Sequence, residues 1–265
     1  MDLLAENPVV AVVVAVLVLG FVGHRVWRWR RESAMSSHAG EHGWRQVRQV
    51  ETFADLAVGR FPELRERAEQ DARSARSPGG RRGAFGSTIR VGRSPGGASD
   101  ARARNAFVVP TQQGEVAVGD VTVAGKAGKA SQSRASVHRS AAVARIDEHL
   151  PRFKLLGRAW VDRDSGGDLP DELTARFNDQ PLDPDQRAAL VDSDAHRVLL
   201  ESTCELDGVA VDGDRIVLLG HRQLDPERAA DLAETTAAFA RRLVAAEGHV
   251  ADATATRLRD PLAGG

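Results

Sequence analysis

Two histidines and a glutamate stand close together in His38-Ala-Gly-Glu41-His42, an H-x-x-E-H run. On a regular helix the histidines lie four residues apart on one face. Two imidazoles placed that way can hold a transition metal while the glutamate acts as general base. Hydrolytic chemistry of that kind needs an unbroken helix and a third ligand from elsewhere in the chain. Gly40 and Gly43 weaken the helix, and the run lies only a few turns beyond a very apolar stretch. A polar helix end is the favoured reading, and a membrane-tethered, metal-dependent hydrolase using His38, Glu41 and His42 is the alternative. No catalytic residue, cofactor or metal ligand is assigned.

The other chemistry-bearing runs fall short on spacing. Asp162, Asp164 and Asp168 with Gly167 echo positions one, three and seven of a calcium loop. Gly166 stands at position five and Leu173 at position twelve, with Glu172 one place early, so a solvated acidic turn is expected. Gly125-Lys126 and Gly128-Lys129 lack the leading glycine of a phosphate loop, and alanine follows each lysine where a hydroxyl must hold magnesium. Asp192-Ser193-Asp194-Ala195-His196 has no strand–turn–helix elbow to present its serine and reads as exposed helix surface. Cys204 is the single cysteine, so no intramolecular disulfide can form. Glu201 and Glu205 flank it and oppose a thiolate, which leaves a small core residue.

The elements that would position these groups begin with Asn7 to Gly23, NPVVAVVVAVLVLGFVG, which has no charged residue. Seventeen helical residues rise about 25 Å, slightly less than a roughly 30 Å hydrocarbon core. Insertion of the eleven Val, Leu and Phe residues is favourable by roughly 4 kcal/mol. Asp2 and Glu6 precede the stretch; Arg25, Arg28, Arg30 and Arg31 follow it, interleaved with Trp27 and Trp29. A cleaved signal peptide would have basic residues before the apolar run and a small-residue site after it. The positive-inside rule instead predicts a single-pass anchor with the amino terminus outside and the remainder in the cytoplasm. Arg25, Trp27, Arg28, Trp29, Arg30 and Arg31 are the expected membrane-interface residues, with anionic lipids as partners.

Beyond the anchor, the helix is expected to continue to Gly40 or Gly43 and be followed by a short strand over 43–50. Helical spacing returns over 51–73, where Pro62 starts a second helix. Residues 74–101 read as a disordered linker, with Arg-Ser-Pro-Gly-Gly at 76–80 and again at 93–97. Strands are expected at 103–109 and 115–125, joined at Pro110–Gly114, with a bulge or bend at Gly119-Asp120 where the valines change phase. Residues 125–135 make a flexible basic loop, and 136–146 and 152–161 two further strands. Asp183, Pro184 and Gln186 spell a capping box for a helix within 182–202. Asp212-Gly213 between apolar runs predicts a hairpin over 208–220. The last helix runs from Asp225 to about Glu247 and stops at Gly248. LDPDQRAAL (182–190) and LDPERAADL (224–232) share the grammar of a capped helix start rather than a repeat.

The expected organisation is thus an anchor with its basic juxtamembrane segment (1–31), a helical and strand lead-in (32–73), a linker (74–101), an α+β domain (102–247) and a tail (248–265). The fold class is α+β, with an N-terminal transmembrane helix, an antiparallel sheet, flanking helices and a disordered basic insertion. Net charge is −1, but residues 24–145 hold 22 Lys plus Arg against 11 Asp plus Glu, and residues 146–265 hold 14 against 24. This split suggests a basic half toward the membrane and an acidic half toward the cytosol. Residues 74–104 contain Phe85 as their one aromatic, too few stacking platforms for nucleic-acid binding to be more than an alternative.

The order of parts resembles a group of uncharacterised single-pass membrane proteins of actinobacteria. The shared features are the anchor, the Arg/Trp-rich exit, Gly43-Trp44, an Arg-x-Arg-Asn start to a hairpin (Arg102 to Asn105), and the closing hairpin with its Asp-Pro-Glu-Arg helix (Asp225 to Arg228). An aromatic-rich strand usual after the first hairpin is replaced here by GEVAVGDVTVAG. The resemblance loosely spans 1–247 and implies an intracellular α+β domain on an anchor, with no activity. A non-enzymatic interaction or scaffold module with an unknown protein partner is the resulting expectation.

Overall fold

A computed structural model describes residues 8–74, 101–126, 134–160, 167, 169–246 and 258–263. Residues 75–100 of the linker, most of the basic loop, the calcium-like aspartates and most of the tail lie outside these residues.

The chain opens with α1 (Pro8–Glu41), one uninterrupted helix of 34 residues, about 51 Å long. Val12, Leu17, Leu19, Phe21 and their neighbours are exposed on every side. Among the described residues this one helix is long and apolar enough to cross a membrane, and its apolar window is 0% buried, unlike a helix made for a protein core. It ends where Gly43 takes φ +70° and the Trp44 N–H bonds back to the Ala39 carbonyl at 2.8 Å. That is a Schellman stop, which explains why the helix survives Gly40 and terminates at Gly43.

A two-residue β1 (Arg45–Gln46), α2 (Val50–Gly59) and α3 (Glu63–Ser74) follow, with Pro62 between the two helices. Then come β2 (Ala101–Thr111), β3 (Gly114–Lys126), β4 (Arg134–Leu156), the short helices α4 (Asp171–Thr174), α5 (Pro184–Arg187) and α6 (Ala195–Glu201), β5 (Leu206–Gly220) and α7 (Pro226–Ala246). The five strands form one antiparallel sheet in the order β1-β2-β3-β4-β5. The protein is therefore α+β. The sheet is covered on both faces. Phe53, Ala57, Phe61, Leu64 and Ala68 of α2 and α3 pack on Val121, Val123, Val143 and Leu219. Leu199 of α6 and Leu232, Phe239 and Leu243 of α7 pack on Val118, Ile216 and Leu218, together with Met35 and Ala39 of α1.

Two-sided burial accounts for the valine pattern in β3. Val116 and Val118 belong to the α7 side, and Val121 and Val123 to the α2–α3 side. The alternation never breaks; the stretch in which apolar residues are required passes from one face to the other. The expected irregularity at Gly119-Asp120 exists, but the extra residue is on β2, whose register with β3 shifts between Arg104 and Phe107. Asn105 there adopts φ +47°, a conformation asparagine tolerates better than most residues.

The hairpin expected at Asp212-Gly213 is not formed. Both residues lie within β5, one strand of 15 residues, and Gly213 (φ +64°) faces Leu150 of β4. The two strands expected at 136–146 and 152–161 are likewise one 23-residue strand, β4, with register shifts between Arg145 and Leu150 and between Leu150 and Phe153. The left-handed glycine that would close a two-residue turn bends a long strand pair instead. Asp212 is held by Arg60 and by Arg152 at 2.7 Å. Gly213→Ala is expected to lower stability by about 1–2 kcal/mol through the left-handed backbone alone. Gly213→Asn should cost less, as measured by urea unfolding of the detergent-solubilised chain.

Capping matches expectation at both Asp-Pro starts. Asp183 and Gln186 form a reciprocal capping box, and the Arg228 N–H donates to Asp225 Oδ1 at 2.9 Å. The run 182–202 is nonetheless broken into α5, a π-turn (Ala188–Asp192) and α6, with Asp194 at φ +58°. Within the tail, residues 258–263 include a contact with the sheet: the Leu258 N–H bonds to the Gln113 carbonyl at 2.8 Å, and Leu258 is buried.

Candidate functional site at the helix–domain junction

Arg31 lies one turn before the first α1 residue in the core, Met35. Its guanidinium reaches Asp120 through Nη2 and Gln223 through Nη1. Asp120 is 5% exposed. It also accepts the Leu224 N–H at 2.8 Å and the Asn105 side-chain amide at 3.0 Å. One carboxylate thus ties together α1, the β2 bulge and the loop between β5 and α7. Burial pushes the Asp120 carboxyl above the usual carboxylate range, although Arg31, the Leu224 amide and Asn105 pull it down. Desolvation outweighs pairing, as expected for a buried ion pair.

Of the six expected interface residues, Arg25, Trp27, Trp29 and Arg30 are exposed. Arg28 pairs with Glu32 at 2.8 Å along the helix. Arg31 differs from the rest of the collar: its side chain is only 14% exposed and turns to the domain, with its guanidinium carbon also 5.5 Å from the centre of the Trp27 ring. Asp120, Asn105 and Gln223 were missed. The legible signal was a lone aspartate amid valines in the middle of a strand.

Around Ala39, the donor atoms of His38, Glu41 and His42 all lie within 4.8 Å of one another. The two imidazoles stack with centroids 3.8 Å apart, and Trp44 meets His38 edge-on at 4.9 Å. His42 Nδ1 lies 3.0 Å from the His38 carbonyl, and Ser37 Oγ donates to Glu41 Oε1 at 3.3 Å. The run is therefore helical as a metal reading requires, where the sequence suggested a weakened helix.

A concavity of about 110 Å³ is lined by Ser140, Cys204, His221 and Leu232 among others. His221 Nδ1 lies 2.9 Å from the buried Asp207, which also takes the Arg139 guanidinium. A thiol that shares this concavity with a carboxylate-oriented imidazole suggests a nucleophile, but burial and Asp231 push the Cys204 thiol up, which opposes the thiolate such chemistry needs. His196, expected on an exposed surface, is buried and sits 3.3 Å from the Leu190 carbonyl, while Ser193 Oγ bonds to the Ala189 carbonyl. Leu173, at the twelfth calcium-loop position, is buried in the core.

The charge halves are not separate in space. Arg60 pairs with Asp212, Arg139 with Asp207, and Arg145 with Asp214, so basic residues of the first half meet acidic ones of the second across one sheet.

These features define an α+β domain whose sheet is sandwiched between helices and whose first helix projects far beyond it as an apolar rod. No family model, no curated protein and no solved structure matches the chain.

Proposed function

We propose that α1 crosses the cell membrane once, with the amino terminus outside, and that the folded domain is a non-enzymatic interaction module held at the cytoplasmic face. The observation that carries this reading is the continuity of α1. An exposed apolar rod runs without a break into Met35 and Ala39 of the core, and the Arg31–Asp120–Gln223 contacts fasten it there. Arg25, Arg28 and Arg30 lie where a cytoplasmic leaflet would be, each worth about 1 kcal/mol of attraction to anionic lipid before screening. The interleaving of the charge halves removes the reason to place an entire basic half against the bilayer, so the lipid contact is assigned to the collar alone.

The test is topology. The full chain should stay with membranes in alkaline carbonate, and protease added outside intact cells should leave the domain whole. Release by carbonate, or digestion from outside, overturns the reading. Purified full-length chain reconstituted in vesicles should restrict the motion of anionic lipids more than neutral ones, and Arg25→Gln/Arg30→Gln should reduce the difference.

A further inference from the structure

We infer that the end of α1 is a transition-metal site with His38, Glu41 and His42 as its ligands. Their donor atoms already lie within 4.8 Å of one another. Ligands around a tetrahedral ion at about 2.1 Å stand about 3.4 Å apart, so the remaining closure is small. It is met by turning the stacked imidazoles about their outer torsions, which are broad and soft. Two imidazoles and a carboxylate suit zinc, cobalt or nickel rather than magnesium or calcium, which take oxygen.

The surroundings are those of a prepared site. His42 Nδ1, 3.0 Å from the His38 carbonyl, is placed to donate its proton there. That fixes the tautomer and leaves Nε2 bare for a metal, the usual outer-sphere arrangement of a ligating histidine. His38 is braced by the edge of Trp44, which packs in turn on Phe107. The site opens on a groove of about 430 Å³ whose far wall is α7, where Glu227, Asp231 and Glu234 line the same space. That wall draws cations and offers a carboxylate to complete the shell. With Glu41 among the ligands, it is not free to act as the base of the H-x-x-E-H pattern, so the metal braces the end of α1 rather than serving that hydrolytic scheme.

Full-length protein in mild detergent, stripped with chelator, is titrated with cobalt chloride. The visible absorption of low-symmetry Co²⁺ should plateau at one equivalent, and zinc should displace it. His38→Ala and His42→Ala should each weaken binding by about 10- to 100-fold or more. Glu41→Gln should weaken binding and alter the band intensity, whereas His24→Ala should change neither. Metal-free thermal unfolding of each variant shows whether it folds, and the isosteric Glu41→Gln keeps the test decisive if a histidine variant does not. Absence of a one-equivalent plateau in the wild type overturns the site, as does unchanged affinity in the His38→Ala/His42→Ala double variant.

Discussion

Arg31→Met is expected to lower the stability of the domain by about 3–5 kcal/mol at neutral pH, because it leaves Asp120 buried without its cation. The loss should depend on pH in a defined direction. Asp120 already has a folded-state pKa above its ordinary value because of burial. A raised pKa means that its protonation favours the folded state at low pH, and that this contribution is lost as pH rises through the folded value. Arg31 offsets the cost of the charged form. Without it the folded pKa rises further, so the deficit of Arg31→Met should be largest at neutral pH and shrink as pH falls toward the ordinary aspartate range near 4. Arg31→Met/Asp120→Asn should recover stability relative to Arg31→Met alone, since the asparagine oxygen can still accept the Leu224 N–H without a charge. Urea unfolding at several pH values reads all three. A single variant within 1 kcal/mol of wild type, flat with pH, would show that the junction is solvated and that α1 is not fastened by it.

Phe53→Ala is expected to cost about 3–5 kcal/mol, the range for deleting a fully buried aromatic ring. Phe53 is 0% exposed, and its Cε1 sits where Gly119 leaves room: a Cβ on Gly119 would meet it at 2.8 Å and Ala106 Cβ at 3.0 Å. Gly119→Ala alone should cost about 1–3 kcal/mol by overpacking. Together the two should cost less than their sum, because removing the ring relieves the first clash, with a coupling of about 0.5–3 kcal/mol. Strict additivity in a double-mutant cycle would mean that the ring and the strand do not share this contact.

Local signals were the readable ones. The apolar rod, the Gly43 stop, the Asp183–Gln186 box, the Asp225 start of α7 and the hairpin at Pro110–Gly114 depend on neighbours within a few residues, and each was expected at nearly its observed place. Asp212-Gly213 shows where local grammar is ambiguous. A left-handed glycine between apolar runs serves a hairpin or a bend equally well, and only the pairing of Gly213 with Leu150 decides between them. The two faces of β3 are a tertiary matter, since α2 and α3 cover one and α7 the other. Leu258 has no periodic partners to announce it in a polar tail, and its docking depends on Gln113, far away in sequence. Arg31 was expected at the lipid surface because a collar arginine and a core arginine look alike until Asp120 is found opposite. At His38, Glu41 and His42 the spelling was legible but its geometry was not, because two glycines concealed a regular helix end.

The absence of a joint between rod and domain also has a mechanical side. A helix in a bilayer changes its tilt when the hydrocarbon thickness changes, and a flexible tether would absorb that motion. Here the helix axis is locked into the sheet sandwich. If α1 spans a bilayer, a change in its tilt carries the domain with it as one body. Whatever docks on the far side of the domain would feel membrane thickness as displacement.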